Sequence, residues 1–275
     1  MKLYTVMYEG RHIAAAEGSG GVMCSLENTV KDMNELITGH FYPDRIITSD
    51  EVIPEGKYEI RSPIPVPLQD ILCIAKNYYD PGEERSVPAD EAVYFSKRVS
   101  YANYDSGIIP AYDISEALDY ETELGVILAD DVKGLTPQEV KSHIFGYTIV
   151  NDISDRIIQK AHRQWYFGKS LDGYTSIGPC IVTADEFSEN ENFHIMTYVN
   201  GELRQDGTTS DMIRSAEMIV SELSQYMTLR AGTIIATGTP WGSGKDMMPP
   251  LYLKEGDIIE SIIEGIGILR NRVGK

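Results

Sequence analysis

Apolar residues alternate with polar ones over short stretches of this chain, with the period of two that is typical of half-buried β-strands. In residues 1–17, two such stretches flank the polar turn Gly10-Arg11 and predict a β-hairpin. Short apolar runs predict further strands along the rest of the chain, at residues 70–80, 92–97, 123–129, 146–152, 178–184, 194–201, 233–238 and 257–265. We therefore expect a protein built mainly from β-strands.

Helical spacing of apolar residues is confined to a few segments. In residues 25–39 we predict a short amphipathic helix from the residues that would share one face, which are Leu26, Val30, Met33, Leu36 and Ile37. Other helices are predicted at 136–143, 153–162 and 211–227. Because strands dominate and do not alternate regularly with helices, the pattern disfavours a doubly wound sheet and indicates a β-rich α+β fold.

Prolines suggest where the chain divides. Residues 61–70 contain three prolines at alternate positions, which exclude a helix and predict an extended linker. We therefore predict a small N-terminal α+β domain at residues 1–65 and a larger domain at residues 66–275. The polar segment 80–92, with two prolines and a glycine, is predicted to be a mobile loop.

The composition restricts which molecules the chain is expected to bind and in which compartment it is expected to act. The formal net charge of −18 argues against binding to nucleic acid or to an anionic membrane, since phosphate contacts require clustered Lys and Arg. Cys24, Cys73 and Cys180 are far apart and form no CxxC pair, which disfavours disulfides and zinc and fits a reducing cytoplasm. Glu9 and Arg11 interrupt the N-terminal apolar run, so no signal peptide is predicted. We expect a soluble, cytoplasmic protein.

Two glutamates stand two positions apart in the segment 119–128, with the sequence DYETELGVIL. In a strand, Glu121 and Glu123 would point to the same face about 7 Å apart, while Thr122 and Leu124 would face the core. Two like charges so placed repel each other unless a cation or a proton lies between them.

A third carboxylate, Asp152, follows the apolar run 147–150 at a predicted strand end. Three carboxylates suit a hard cation such as Mg²⁺ or Mn²⁺ and leave about three of six positions for water or substrate. The spacing alone favours a solvated strand face over a metal site, because Glu-x-Glu is common.

The motifs around these residues resemble, in order, those of the fumarylacetoacetate hydrolase family. They are NYYD (77–80), YFSK (94–97), DYETELGVIL (119–128), GYTIVNDISDR (146–156), GKSLDGYTSIGP (168–179), NGELRQ (200–205), ATGTPWG (236–242) and LKEGDIIESIIEGIGIL (253–269). The resemblance covers about residues 70–270 and implies a catalytic domain of folded-over mixed β-sheets, usually dimeric. It also implies that Glu121, Glu123 and Asp152 are metal ligands.

Reactions on 2-oxo and 2,4-dioxo acids follow from the same resemblance: hydrolysis of acylpyruvates, decarboxylation of oxaloacetate, or isomerisation of 2-hydroxyhepta-2,4-diene-1,7-dioate. Each passes through an enolate, which a metal ion stabilises as a Lewis acid. The metal site therefore does not distinguish these reactions. The most probable reaction from the motifs is cleavage of a C–C bond in a 2,4-dioxo acid, with decarboxylation or keto–enol isomerisation as the alternative.

Further residues are candidates for catalysis and substrate binding. Lys169 matches the family's substrate-side lysine, which would bind a carboxylate or an oxyanion. Arg156 and Gln159, one helical turn apart, would bind the distal polar group of the substrate, although an ion pair or a helix cap is an equal alternative. Tyr78 and Thr239 are the remaining residues predicted to contact the substrate. Thr239 follows the flexible Gly238 and would bind the substrate carboxylate through its amide and its hydroxyl.

The loop after Asn77 departs from the family. Hydrolytic and decarboxylating relatives carry a histidine and, three residues later, a glutamate that act as general base and acid. Glu84 matches the glutamate, but Pro81 stands at the histidine's position and carries no titratable proton. General acid–base catalysis is worth about 10²–10⁴ in rate, so hydrolysis should be slow.

Three hypotheses remain for the reaction. Glu84 or Glu83 acts alone on an activated water; a histidine from elsewhere, such as His162, replaces the missing one; or the protein performs only decarboxylation or keto–enol isomerisation. A hypothesis of another class is a non-catalytic, metal-dependent binder of 2-oxo acids.

Overall fold

The computed structural model of the chain describes residues 1–18, 20–26, 30, 32–41, 45–85, 91–188 and 191–275. Within these ranges the strands are β1 Lys2–Tyr8, β2 Arg11–Glu17, β3 Met23–Leu26, β4 Thr48–Val52, β5 Tyr58–Arg61, β6 Ile71–Ala75, β7 Val93–Lys97, β8 Gly107–Pro110, β9 Leu118–Asp119, β10 Thr122–Leu128, β11 Ile144–Asp152, β12 Ser154–Asp155, β13 Thr175–Thr183, β14 His194–Val199, β15 Glu202–Thr208, β16 Ile234–Ala236, β17 Ile258–Ile263 and β18 Gly267–Gly274. The α-helices are α1 Met33–Thr38, α2 Pro137–Val140, α3 Arg156–Ala161, α4 Tyr166–Lys169 and α5 Ala216–Ser224.

Two sheets and a short ribbon contain these strands. The large sheet has the order β4-β3-β2-β1-β13-β11-β10-β16-β6-β7, with β5 also paired to β1. A five-stranded sheet has the order β15-β14-β17-β18-β8, and β12 pairs with β9. Most pairs are antiparallel, but β16–β6 and β18–β8 are parallel, so the predicted β-rich α+β fold with mixed sheets is confirmed.

The N-terminal hairpin forms as predicted, but its turn lies one residue earlier, at Glu9-Gly10. Both turn residues have positive φ, 48° and 75°, as a two-residue hairpin turn of type I′ requires. Gly10 takes this conformation without steric cost, so it belongs inside the turn and Arg11 begins the second strand.

The helix predicted at 25–39 is shorter than its apolar spacing suggested. Leu26 ends β3, and the helix covers only Met33–Thr38, because the Asp32 side chain caps it by accepting the Glu35 N–H at 2.9 Å. Residues 27–29 and 31 lie outside the described residues, as do residues 86–90 of the predicted mobile loop.

The other predicted helices are also shorter than their apolar patterns. Helix α3 begins at Arg156 rather than at 153, since Ser154 and Asp155 pair with β9.

Strands β15 and β18 were not predicted, because their polar sequences form strands only through pairing with β14 and β17.

The N-terminal residues continue the large sheet across the predicted domain boundary. Strand β1 pairs with β13, with Leu3 opposite Ile181, and both side chains are fully buried in one apolar cluster with Ile64 and Ile71. The division at residues 65 and 66 stays a prediction. No helix among the described residues is long and apolar enough to cross a membrane.

Strand β10 lies at the centre of this architecture. It pairs with β11 on one side and β16 on the other, and every one of its seven residues is buried. Both faces of β10 are therefore covered, one of them by β14 and β17 of the five-stranded sheet.

We expect Leu3→Ala to lower the free energy of unfolding of the whole chain by about 2–5 kcal/mol, because it leaves a cavity between β1 and β13. Urea unfolding followed by tryptophan fluorescence measures this, since both tryptophans, Trp165 and Trp241, lie beyond the predicted boundary. Leu68→Ala is the matched control, because Leu68 is 53% exposed. If Leu3→Ala left the midpoint of the fluorescence transition unchanged and showed a separate transition by circular dichroism, the N-terminal residues would unfold independently of the rest of the chain. That result would contradict cooperative unfolding.

Candidate metal centre

Three carboxylates meet where β10 begins and β11 ends. Glu121 immediately precedes β10, Glu123 lies within it, and Asp152 is the last residue of β11. One oxygen from each lies within 4.8 Å of the others, and the three residues are 8%, 3% and 0% exposed. The cluster of three carboxylates that the family resemblance implied is therefore present in the structure, and it is buried rather than solvated.

The antiparallel pairing of the two strands produces this arrangement. Thr122 lies opposite Asn151, and the Asp152 N–H donates to the Glu121 carbonyl at 2.8 Å. The Glu121 N–H in turn donates to the Asn151 side-chain oxygen at 3.2 Å. These contacts fix the distance between segments that are about thirty residues apart in the chain.

The carboxylates repel one another in this buried position. Burial and the nearby charges of Asp152 and Glu121 raise the pKa of Glu123 well above its usual range. Burial also opposes ionisation of Glu121, but its ion pairs with Arg156 and Lys169 prevail and lower its pKa. The Gly238 N–H donates to Glu123 at 2.8 Å and orients that carboxylate.

This donor set fits a divalent metal ion. Its atoms are all carboxylate oxygens, which hard cations prefer, and one oxygen from each residue lies within 4.8 Å of the others. A cation would also relieve the repulsion that raises the pKa of Glu123. Within the described ranges, no second group of three acidic, histidine or cysteine side chains meets in this way.

Lys169, at the end of α4, reaches the carboxylates directly. Its ammonium group lies 2.7 Å from Glu121, 2.5 Å from Asp152 and 2.9 Å from the Ser154 hydroxyl. Its side chain is buried, and its charge lies 4.9 Å from the centre of the Phe95 ring. The structure therefore places this predicted residue within the cluster.

Lys97, the last residue of β7, is a site residue that the sequence did not reveal. It is fully buried, and its ammonium group donates to Asp152 and to the carbonyls of Ile153 and Tyr174, at 3.1 and 2.8 Å for the carbonyls. All three of its protons are thereby used. Lys97 belongs to the motif YFSK, but nothing in the spacing of that motif distinguishes it from a surface lysine.

Arg156 and Gln159 lie beside the cluster and contact each other at 3.2 Å. The Arg156 guanidinium is also 2.8 Å from Asp119 and 2.8 Å from Glu121. These contacts favour the ion-pair alternative for Arg156. A role in substrate binding for either residue stays a prediction.

Tyr78 and Thr239 lie on the side of Glu123. Burial, and to a smaller extent the charge of the nearby Glu123 carboxylate, raises the pKa of Tyr78. Tyr78 also lines a cavity of about 570 Å³ together with Pro81 and Trp241. The Thr239 hydroxyl donates to the Thr122 carbonyl at 2.8 Å. The structure therefore brings both predicted substrate-binding residues close to the metal centre.

The acid–base residues are less well placed. Glu84 is exposed and makes no hydrogen bond or ion pair with another described residue, so its catalytic role stays a prediction. His162 is exposed, and its ring contacts Phe167 at 5.0 Å between centroids. No contact with the carboxylate cluster supports His162 as a replacement for the missing histidine, within the part of the chain that is described.

Comparison with known proteins agrees with this site. The model of the family described as fumarylacetoacetate (FAA) hydrolase C-terminal matches residues 70–274. Oxaloacetate tautomerase YisK of Bacillus subtilis is 41% identical over 223 residues, which cover 80% of this chain and 74% of that protein.

Solved structures are similar over the whole chain. Fumarylacetoacetate hydrolase from Exiguobacterium antarcticum has a TM-score of 0.88 and 36% identity, covering 100% of this chain and 99% of that one. The 5-carboxymethyl-2-hydroxymuconate delta-isomerase from Mycobacterium smegmatis has a TM-score of 0.83 and 26% identity, with the same coverage.

We expect Lys97→Met to lower the free energy of unfolding by about 3–5 kcal/mol in metal-free buffer, because it leaves Asp152 buried with one cation fewer. Urea unfolding measures the change. Lys245→Met is the control: its ion pair with Asp246 is partly exposed, and we expect an effect below about 1 kcal/mol. Equal effects of the two substitutions would show that Lys97 does not stabilise a buried charge.

Proposed function

The chain is an enzyme of the fumarylacetoacetate hydrolase family, and from this premise we propose that it interconverts the keto and enol forms of a small 2-oxo acid with the help of a divalent metal ion. The observation that carries this proposal is the buried cluster of Glu121, Glu123 and Asp152, with ligand atoms within 4.8 Å of one another and Lys169 beside them. The ion would be Mg²⁺ or Mn²⁺, since both accept carboxylate ligands.

Charge favours a small anion as the substrate. The site contains four buried carboxylates, those of Asp119, Glu121, Glu123 and Asp152. It contains three buried cations, which are Lys97, Arg156 and Lys169. A divalent ion would make the site locally cationic, although the chain as a whole carries a net charge of −18. A small 2-oxo acid would therefore be attracted to this one position on an otherwise acidic protein.

The chain's own groups would orient the substrate. A 2-oxo acid presents a carboxylate and an adjacent oxo group, and a bound ion would act as a Lewis acid that stabilises negative charge on the oxo oxygen. Lys169 would add a second positive charge beside that oxygen, and the loop at Thr239 would hold the carboxylate. Glu84 or Glu83, in the segment that approaches Tyr78, would move the proton at the third carbon.

Two observations favour keto–enol interconversion over the hydrolysis that the motifs suggested first. Hydrolysis requires an activated water, and Pro81 removes the histidine that supplies it in hydrolytic relatives, whereas enolisation needs only a proton transfer at carbon. The relative that is 41% identical is named an oxaloacetate tautomerase. Oxaloacetate is therefore the first substrate to test.

Cleavage of a C–C bond in a 2,4-dioxo acid is the second candidate, supported by the similarity to the fumarylacetoacetate hydrolase of Exiguobacterium antarcticum at a TM-score of 0.88. Decarboxylation of oxaloacetate would use the same charged site. A homodimer in the cytoplasm completes the proposal, on the basis of the family resemblance and the acidic, cysteine-poor composition.

We expect Asp152→Ala to abolish both binding of Mn²⁺, measured by calorimetry, and metal-dependent enolisation of oxaloacetate, measured by ultraviolet absorbance. Asp185→Ala, at an exposed aspartate, should change neither. Unchanged Mn²⁺ affinity in Asp152→Ala would contradict the assignment of the metal site. Binding of Mn²⁺ and oxalate without turnover of any 2-oxo acid would instead support the non-catalytic binder.

We expect Pro81→His to increase hydrolysis of acetylpyruvate at least about tenfold by restoring a general base, while enolisation of oxaloacetate stays within about threefold of wild type. A product-resolved assay with oxaloacetate, acetylpyruvate and fumarylacetoacetate, with and without metal, separates the reactions. Pro81→Asn is the control, because asparagine is polar but does not titrate. No gain in Pro81→His would indicate that another group supplies the base or that hydrolysis is foreign to this site.

A further inference from the structure

The loop Thr237–Pro240 is held between two buried side-chain amides. On one side, the Asn77 amide donates to the Thr237 carbonyl at 2.8 Å and to the Arg214 carbonyl at 2.9 Å, and its oxygen accepts the Arg214 N–H. On the other side, Gln205 of β15 contacts the loop. Because both amides are almost completely inaccessible to solvent, the loop has little freedom to move.

Gln205 uses all of its hydrogen-bonding groups. Its oxygen accepts the Thr122 N–H at 3.3 Å and the Thr197 hydroxyl at 2.7 Å. Its nitrogen donates to the Thr239 hydroxyl at 2.8 Å and to the Pro240 carbonyl at 2.7 Å. The orientation of the amide is unambiguous, since the Thr122 N–H can only donate and the Pro240 carbonyl can only accept.

This arrangement determines what Thr239 can offer to a ligand. The single hydroxyl proton of Thr239 goes to the Thr122 carbonyl, because a carbonyl can only accept, and the hydroxyl oxygen accepts from Gln205. The hydroxyl therefore has no proton left for a substrate carboxylate. The Thr239 N–H, by contrast, has no acceptor among the described residues, and the preceding N–H, of Gly238, donates to Glu123.

The loop is also tied to the strand that carries the metal ligands. Thr122 lies between Glu121 and Glu123 but faces away from them, and its hydroxyl is 2.6 Å from that of Thr197 and 2.7 Å from that of Ser261. Thus the five-stranded sheet, Gln205 and the loop are fixed to one residue of β10. A displacement of Gln205 would move the loop relative to the carboxylates.

Close packing around Gly238 limits movement of the loop toward Asn77. The φ of Gly238 is +87°, and an added Cβ would lie 3.0 Å from the Cβ of Asn77 and 3.2 Å from the Ile74 carbonyl. The backbone here is packed against its neighbours on the Asn77 side. Loss of Gln205 on the other side would remove two of the three side-chain hydrogen bonds that hold Thr239 and Pro240 among the described residues.

We propose that Gln205 is a positioning residue for substrate binding. It holds the loop so that the backbone N–H of Thr239, rather than its hydroxyl, would meet the substrate carboxylate next to the metal ion that Glu123 would help to hold. This inference rests on the proposed function, since it assumes an anionic substrate at that site.

The test is binding of oxalate in the presence of Mn²⁺ by calorimetry, which requires no turnover. In Gln205→Glu, the carboxylate keeps the contacts with Thr122 and Thr197 but repels the Pro240 carbonyl and cannot donate to Thr239. We expect the Kd for oxalate to rise about tenfold and the Kd for Mn²⁺ to stay within about twofold. With oxaloacetate, KM should rise by more than kcat falls.

The matched control is Gln225→Glu. Gln225 is exposed, and its amide donates to the carbonyls of Leu135 and Ser221, so the substitution also removes two hydrogen bonds donated by an amide, but far from the loop. Its oxalate and Mn²⁺ affinities should equal those of wild type.

The outcomes are distinct. Equal oxalate affinity in wild type and folded Gln205→Glu would overturn the positioning role while leaving the proposed function intact. Failure of metal-loaded wild type to bind oxalate would overturn the proposed function and this inference with it. If Gln205→Glu does not fold, Thr197→Val is the second variant, because it removes one hydrogen bond to the Gln205 oxygen. We expect it to bind oxalate about threefold more weakly than wild type. Unchanged oxalate binding in Thr197→Val would overturn the proposal.

Discussion

Mutual repulsion of three buried carboxylates is the constraint around which this protein is arranged. Glu121, Glu123 and Asp152 present oxygen atoms within 4.8 Å of one another in an environment that excludes water. Such a cluster persists only where cations surround it, and the chain supplies Lys97 and Lys169 from two different elements. A metal ion would complete the balance, so metal binding and the stability of the site are two aspects of one electrostatic requirement.

The two faces of strand β10 have different roles in meeting this electrostatic requirement. One face presents Glu121 and Glu123 to the cations, and the other presents Thr122 to the five-stranded sheet through hydroxyl and amide contacts. The polar contacts behind the strand hold it in register without placing a further charge there. Both sheets of the fold therefore contribute to the geometry of the site, although the three carboxylates lie in or next to strands of the large sheet alone.

The same scaffold serves relatives named as hydrolase, isomerase and tautomerase, so the fold does not determine the reaction. The reaction then depends on the groups above the carboxylate cluster, which belong to loops. In this chain the loop carries Pro81 near Glu83 and Glu84, and under the proposed function the carboxylate cluster would stabilise charge while fewer groups would be available to activate water.

Local periodicity determined much of this protein from sequence alone. The alternation of side chains in a strand places Glu121 and Glu123 on one face whatever surrounds them, and the motif order identified the family. Only the tertiary structure showed Lys97 beside Asp152, 55 residues away, and Gln205 beside Thr122, 83 residues away. The physical reason is that the direction of a side chain is set within two or three residues, whereas its burial and its partner depend on which distant strands pack against it.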